Sequence, residues 1–347
     1  MKEFRYTNLR EAAIPLDDAA RQSIEREVRR LSRAYAGRSL HDTDLLHAVE
    51  LAATALPETV CKALLSFRDK GNTGGCLLLT GLPIGPLPPT PDAAESEPAW
   101  TDVPVATISQ LLVMSVLGRS ISYSDEKSGR LVQDVCPKKG AEERQENSGS
   151  VLLELHTEDG FHPTPPHFLS LICLRGDSDG VAATVTSGIL DALPLLDADT
   201  IAALRRPEFR TRYSTSFVPD DAAEVLTDPM PVLTGPDSCP ELRVDFHGTL
   251  PLTPAARAAL GRLERAMLRS LNGLVLNPGD LVIVDNRHAV HGRSGFTPRY
   301  DGHDRWLRRS FAVADLRPLN DRLTEGRSHR PVVTAVDPHL TQTATTV

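Results

Sequence analysis

Apolar residues at three- and four-residue steps open the chain. Ile24, Val28, Leu31 and Ala34 share one helical face, Asp17 or Asp18 can cap the helix they define, and Gly37 can stop it. Further helices are predicted over residues 42–55 and from residue 57 to about 70, with Gly71 as the stop. The pattern then changes. Short, nearly continuous apolar runs at 76–80, 168–174 and 281–285 have the length of buried strands, and 118–123, 129–135, 151–155, 180–186 and 242–246 are further strand candidates. Residues 103–117 suit a packed helix, and helical patterns return at 191–197 and 199–204. The clearest helix starts at Thr253, which can cap it with Pro254 in the first turn and Leu260, Leu263, Met267 and Leu271 as a stripe. The proline-rich stretch 83–98 is expected on the surface and the polar stretch 138–150 as a loop. Many short strands behind a helical start predict a β-sandwich or barrel with helices packed outside it.

Composition narrows the chemistry rather than the fold. The 347 residues can bury a large core, and a formal net charge of −8 argues against a nucleic-acid or anionic-membrane partner. No apolar run approaches the roughly 18 residues of a membrane span, and the start of the chain has no secretory apolar region, so a cytoplasmic protein is expected. The five cysteines are widely spaced with no C-x-x-C pair, which suggests reduced thiols rather than a disulfide framework or a thiolate zinc site.

The chemistry gathers around residues 152–162. An apolar run leads into His156-Thr157-Glu158, and on a strand residues two apart project from one face. An imidazole and a carboxylate side by side are two of the three ligands of a 2-His-1-carboxylate iron site. By itself the pair is weak, because 11 His and 46 acidic residues make chance pairs common. If both side chains face inward, Thr157 and Asp159 should face away. A second histidine is on offer at His288 or His291, directly after the 281–285 strand. Arg305 follows His291 by fourteen residues and Arg309 comes four later, and a guanidinium fork is the natural partner of a carboxylate.

Taken together, His156-Thr-Glu158, the segment Asp285-Asn-Arg-His-Ala-Val-His-Gly-Arg293 and Arg305 resemble the clavaminate-synthase-like branch of the Fe(II)/2-oxoglutarate oxygenases. Within that branch the chain is similar to the arginine and asparagine β-hydroxylases of nonribosomal peptide pathways, over about residues 75–320. The resemblance implies a distorted jelly-roll, the cupin-like double-stranded β-helix, with flanking helices. It implies one oxygenase domain over 1–347: a helical portion at 1–72, a jelly-roll core with inserted helices at 73–320 and a flexible tail at 328–347. It also implies Fe(II) as cofactor, 2-oxoglutarate and O₂ as cosubstrates and a small amino acid as substrate. His156, Glu158 and His291 take the ligand positions, Arg305 anchors the distal carboxylate of 2-oxoglutarate, and Thr184 assists it. Arg309 matches the grip on the substrate α-carboxylate, Asp245 the acid that meets the substrate side chain, and Asn147 and Gln133 fall near substrate contacts.

Halogenating relatives vacate the carboxylate position, so Glu158 implies hydroxylation, by analogy at the β-carbon of a free L-amino acid with a polar or basic side chain. One departure concerns which amino acid. The arginine hydroxylases place two acids at the side-chain position, whereas here Asp245 stands between Val244 and Phe246, with Arg243 and His247 nearby. Two alternatives remain: a zinc-dependent hydrolase using the same His/Glu/His set, which leaves Arg305 without a role, and a non-catalytic cupin-like binding protein.

Overall fold

The computed structural model describes residues 4–91, 99–145, 149–218, 224–323 and 332–333. Local sequence explains the helical start. Asp17 caps Asp18–Ala34 by accepting the Ala20 N–H at 2.8 Å, Asp42 caps Thr43–Ala52, and Glu58–Lys70 ends at Gly71 with φ of 61°. Their apolar faces close on Pro104–Leu117, which is buried on nearly all sides. Each Leu or Val removed from water there contributes about 1.5–3 kcal/mol.

Beneath these helices lies an eight-stranded sheet. Its order runs Val332–Val333, Arg119–Tyr123, Trp306–Val313, Phe168–Arg175, Leu281–Asp285, Cys76–Thr80 and Ile14–Pro15, with Val132–Val135 also paired to Trp306–Val313. Facing it is a five-stranded sheet ordered Thr7–Asn8, Asn272–Val275, Ala183–Gly188, Ala289–Arg293 and Leu153–His156. Helix Pro254–Arg269, capped by Thr253, covers its outer face, and Met267 lies in that core. The result is the expected distorted jelly-roll.

Strand alternation sorts the side chains into layers. On Leu281–Asp285, residues 281 and 283 pack toward the N-terminal helices while 282 and 284 pack between the sheets. Both faces of this strand are buried, which is why its sequence is a continuous apolar run rather than an alternating one.

One predicted strand is shorter than expected. The strand expected over 242–246 shrinks to Glu241–Leu242 plus one bridge between Asp245 and His156. Arg243 turns its guanidinium onto the carbonyls of Gly160 and His162, Val244 exchanges bonds with Thr157, and Asp245 starts a turn whose Gly248 and Thr249 N–H groups return to its carbonyl. Within the expected tail only Val332 and Val333 are described, and they pair in parallel with Ser122 and Tyr123. Asn147 lies outside the described residues.

Candidate active site

The inner face of the five-stranded sheet follows from the same alternation. Val290 packs outward and Ala289 inward, so His291 and Arg293 point between the sheets. On Ala183–Gly188 the outward residues are Ala183 and Val185, which leaves Thr184 and Thr186 inside. Register then brings distant residues together: His291 is paired with His156 on one side and Thr186 on the other, and Arg293 with Thr184. The ladder slips by one residue between His291 and Arg293. A Cβ on the intervening Gly292 would stand 2.7 Å from the Leu153 carbonyl, so only glycine permits this approach.

His156, Glu158 and His291 present ligand atoms that all lie within 4.8 Å of one another. The two rings stand 4.3 Å apart, and His291 Nε2 is 3.3 Å from Glu158 Oε2. His156 Nδ1 donates to the Glu154 carbonyl at 2.9 Å, which fixes the tautomer and leaves Nε2 free to bind. His291 Nδ1 is buried with no partner. Burial first, and then the neighbouring His156, lowers the pKa of His291, so the ring stays neutral as a ligand must. Burial alone would raise Glu158, but Arg309, His291 and His156 outweigh it and hold the carboxyl well below its usual range. Two imidazoles and an ionised carboxylate fit a divalent ion. This donor set by itself accepts zinc as readily as iron, so the surroundings bear on the choice.

Glu158 is not on the strand, which ends at His156. Its position depends on Asn286, whose Oδ1 accepts the Glu158 N–H at 2.7 Å and whose Nδ2 donates to the Glu158 and Pro166 carbonyls at 2.9 Å each. Thr157 faces away as expected. Asp159 does not: its φ of 48° breaks the alternation and buries its carboxyl near Glu126 and Glu158. Burial, reinforced by those two charges, pushes Asp159 well above the normal carboxyl range.

Behind the cluster stand Arg305, 5% exposed, and Arg293, 4% exposed. Arg305 donates to Thr184 Oγ1 at 3.1 Å, and both guanidiniums lie over Phe296, at 5.9 and 5.0 Å. Among the described residues neither has a carboxylate within ion-pair distance, and Arg293 Nε has no partner at all. Burial, with Arg305 adding repulsion, pulls Arg293 down to about 9, and burial lowers Arg305 as well. Two buried cations without a counter-ion are costly, and an anion is what this pocket lacks. A zinc hydrolase would leave that pocket unexplained.

On the opposite sheet Arg309 reaches the same space. It donates to Glu158 Oε1 at 2.7 Å, to Gln133 Oε1 through Nε at 3.0 Å, and to Glu126. Burial pushes Glu126 up, Arg309 offsets only part of this, and Glu158 adds to it. Glu126 Oε2 and Asp159 Oδ2 are buried without partners, so one arginine is surrounded by more acidic oxygen than it can satisfy. Asp245 reaches the site through its backbone bridge to His156, and its Oδ1 accepts the His247 N–H at 2.9 Å. Asp245 makes no ion pair with its neighbour Arg243, whose guanidinium donates to carbonyls instead. His288 turns away from the cluster onto Asp285.

Sequence reasoning missed Glu126, Asn286 and Arg293. Arg293 shares the inward parity of His291 and was legible from alternation. Glu126 sits in a turn thirty residues before His156, where no periodicity applies.

The profile described as "Taurine catabolism dioxygenase TauD, TfdA family" matches residues 112–311. The chain is 40% identical over 306 residues to an L-asparagine oxygenase of Streptomyces coelicolor, covering 88% of this chain and 90% of the relative. A solved structure of asparagine oxygenase with Fe(II), 2S,3S-3-hydroxyasparagine and succinate superposes with a TM-score of 0.85 at 38% identity, over 93% of this chain and 99% of that one. The iron oxygenase OrfP with Fe and alpha-ketoglutaric acid gives 0.81 at 29%, over 93% and 100%. More than half of the sequence thus matches one family profile, and the likeness extends across the whole jelly-roll. The chain belongs to the TauD/TfdA family and is a non-haem Fe(II)/2-oxoglutarate-dependent dioxygenase.

Proposed function

We propose that this enzyme hydroxylates a free L-α-amino acid with a polar or basic side chain at the β-carbon, and that asparagine stands first among the candidates. The observation that carries this reading is the Arg309–Glu126 pair set against Glu158. A zwitterion needs a guanidinium for its carboxylate and an anion for its ammonium, and here both are buried beside the ligand cluster. Likeness to the L-asparagine oxygenase supports asparagine, and Asp245 beside His156 is the acid available to a side-chain amide.

Each residue then has a task. His156, Glu158 and His291 would hold the iron, which with 2-oxoglutarate and O₂ supplies oxidative decarboxylation and the hydroxylation of a substrate C–H bond. Arg305, Arg293 and the Thr184 hydroxyl hold the distal carboxylate of 2-oxoglutarate, Asn286 fixes the backbone of Glu158, and Gln133 keeps Arg309 in line. The protein's contribution is placement, holding one C–H bond where it reacts. Dependence on Fe(II) and 2-oxoglutarate, with five cysteines in no disulfide, supports a cytoplasmic setting.

Succinate release measured across the twenty amino acids, with Fe(II), ascorbate and 2-oxoglutarate, tests the proposal. Amino-acid-stimulated release with mass gain of one oxygen on the β-carbon is expected. Release that no free amino acid stimulates would remove the proposed substrate class. If Asp245 reads the side chain, Asp245→Asn reorders the preference among Asn, Gln, Lys and Arg, and an unchanged order removes that role.

A further inference from the structure

Away from the iron site, a second constellation joins a nucleophile to a base. His288, in the turn after strand Leu281–Asp285, places Nδ1 3.0 Å from Asp285 Oδ2 and Nε2 3.3 Å from Cys239 Sγ. Asp285 is 1% exposed; burial would raise its carboxyl, but His288 and Arg287 together lower it, so it is ionised. A carboxylate only accepts, so the ring hydrogen sits on Nδ1 and the lone pair of Nε2 faces the thiol. This is the order of orienting acid, base and nucleophile that activates a cysteine.

Two further features set Cys239 apart. It is exposed, whereas Cys76, Cys136 and Cys173 are buried, and burial pushes Cys76 up to about 11 and Cys173 to about 12. Its loop is also held in place: the Leu242 N–H donates to the Arg287 carbonyl at 2.7 Å, the Cys239 N–H to Pro236 at 3.1 Å, and Arg205 to the Gly235 carbonyl at 2.7 Å. Charged side chains around this turn, besides Asp285, are Arg287 at its centre, Glu241 on the strand after Cys239, and Asp237, which pairs with Arg205. The thiol is therefore presented to solvent in a fixed relation to its base.

We propose that Cys239 is an activated thiol and a modification site that exchanges with small-molecule disulfides. Its proton passes to His288 Nε2, the thiolate attacks one sulfur of the disulfide, and that S–S bond breaks as the bond to Cys239 Sγ forms. The departing thiolate takes the proton back from the imidazolium. Cys239 is oxidised to the disulfide level and half of the reagent is reduced to a thiol, so no other oxidant enters.

The test uses the full-length enzyme and 4,4′-dithiodipyridine, whose exchange releases a coloured thiopyridone. One fast equivalent is expected, mapped by mass spectrometry to Cys239 and lost in Cys239→Ser. At pH 6.5, His288→Asn should react on the order of tenfold more slowly than the wild type. A wild-type-like rate in His288→Asn overturns the proposal, as does a fast phase mapped to another cysteine. Wild-type protein alone supplies a second check: Cys239 that reacts at pH 6.5 no faster in the native chain than in urea also overturns it.

Discussion

Arg308 and Arg309 are neighbours on one strand, and both are about 98–99% hidden from solvent, yet they live in opposite electrostatic worlds. Arg308 points toward the N-terminal helices, where Asp134 accepts from its Nε at 2.8 Å and Thr107 from Nη1, while the Trp306 indole shares the same carboxylate at 2.6 Å. Even its carbonyl is used, by Gln110 at 3.0 Å. That side is a closed account, with one cation balanced against one anion. Arg309, a residue later and therefore on the other face, meets Glu126 and Glu158 near a third acid, and two acid oxygens are left without partners. A satisfied buried network specifies structure, and an unsatisfied one marks a place where a ligand completes the charge.

The largest effects should come from exchanging these two arginines for methionine. Removing Arg308 leaves Asp134 buried without its cation, at a cost of about 3–5 kcal/mol, while the KM for the amino acid hardly moves. Removing Asp134 as well, as Asp134→Leu with Arg308→Met, should restore most of that stability. Arg309→Met should instead lower kcat/KM for the amino acid by on the order of a hundredfold or more, the value of a lost buried charge pair. Denaturant melts and steady-state kinetics on both variants decide it. If Arg308→Met weakens substrate binding as much as Arg309→Met does, the division between scaffold and site is wrong.

The same contrast extends back along that strand to Arg305, the residue just before its start. Arg305→Ala should raise the KM for 2-oxoglutarate by roughly 10–100-fold and leave the amino-acid KM nearly unchanged, because the cation it removes is stranded until a dianion arrives. An unchanged 2-oxoglutarate KM would assign that anchor to Arg293 alone.

How much of this could be read from the chain depends on which physical rule places each residue. Helices announced themselves through caps at Asp17 or Asp18 and at Thr253, and strand 281–285 through an apolar run buried on both faces. The three ligand positions, Arg305 and Thr184 came from family spacing, and the register His291 to His156 brings the first group into one cluster. Apart from Arg293, which ends strand Ala289–Arg293, what escaped at the site lies in turns. Glu126 and Asp159 owe their positions to backbone with positive φ at Lys127, Ser128 and Asp159, and period-two reasoning placed Asp159 on the wrong side. The 242–246 strand was overcalled for a related reason: an apolar–polar alternation cannot reveal that Arg243 will bond to carbonyls of a loop eighty residues away.

Acid should distinguish the two regions next. His162 packs against Tyr123 and Phe217, and burial, with Arg243 and Arg322 adding repulsion, pulls it down to about 4. A folded-state value below the unfolded one, near 6.5, means that the unfolded chain binds the proton first. The stability this histidine supplies is complete above about pH 6.5 and is lost as pH falls toward 4, amounting to roughly 2 kcal/mol by pH 5. His162→Phe should therefore flatten the fall in urea midpoint between pH 7 and pH 5. An equally steep fall would move the acid sensitivity to the carboxylates around Arg309.

The smallest effect expected is at Thr184, and it sharpens the contrast between a cation that is paired in the free protein and one that waits for its anion. The hydroxyl accepts from Arg305 at 3.1 Å while the strand alternation keeps it facing inward beside Arg293. A hydroxyl that accepts from a guanidinium can still donate its own hydrogen to a carboxylate, so on the proposed reading it orders the cation and would add one neutral bond to the cosubstrate. Such a bond contributes about 1 kcal/mol net. Thr184→Val keeps the shape and deletes the bond, so the KM for 2-oxoglutarate should rise about fivefold with kcat within twofold, while Thr184→Ser should recover most of the loss. If valine instead lowered kcat and left KM alone, the hydroxyl would be acting in the reacting complex rather than in holding the cosubstrate, and the anion pocket would belong to the two arginines without it.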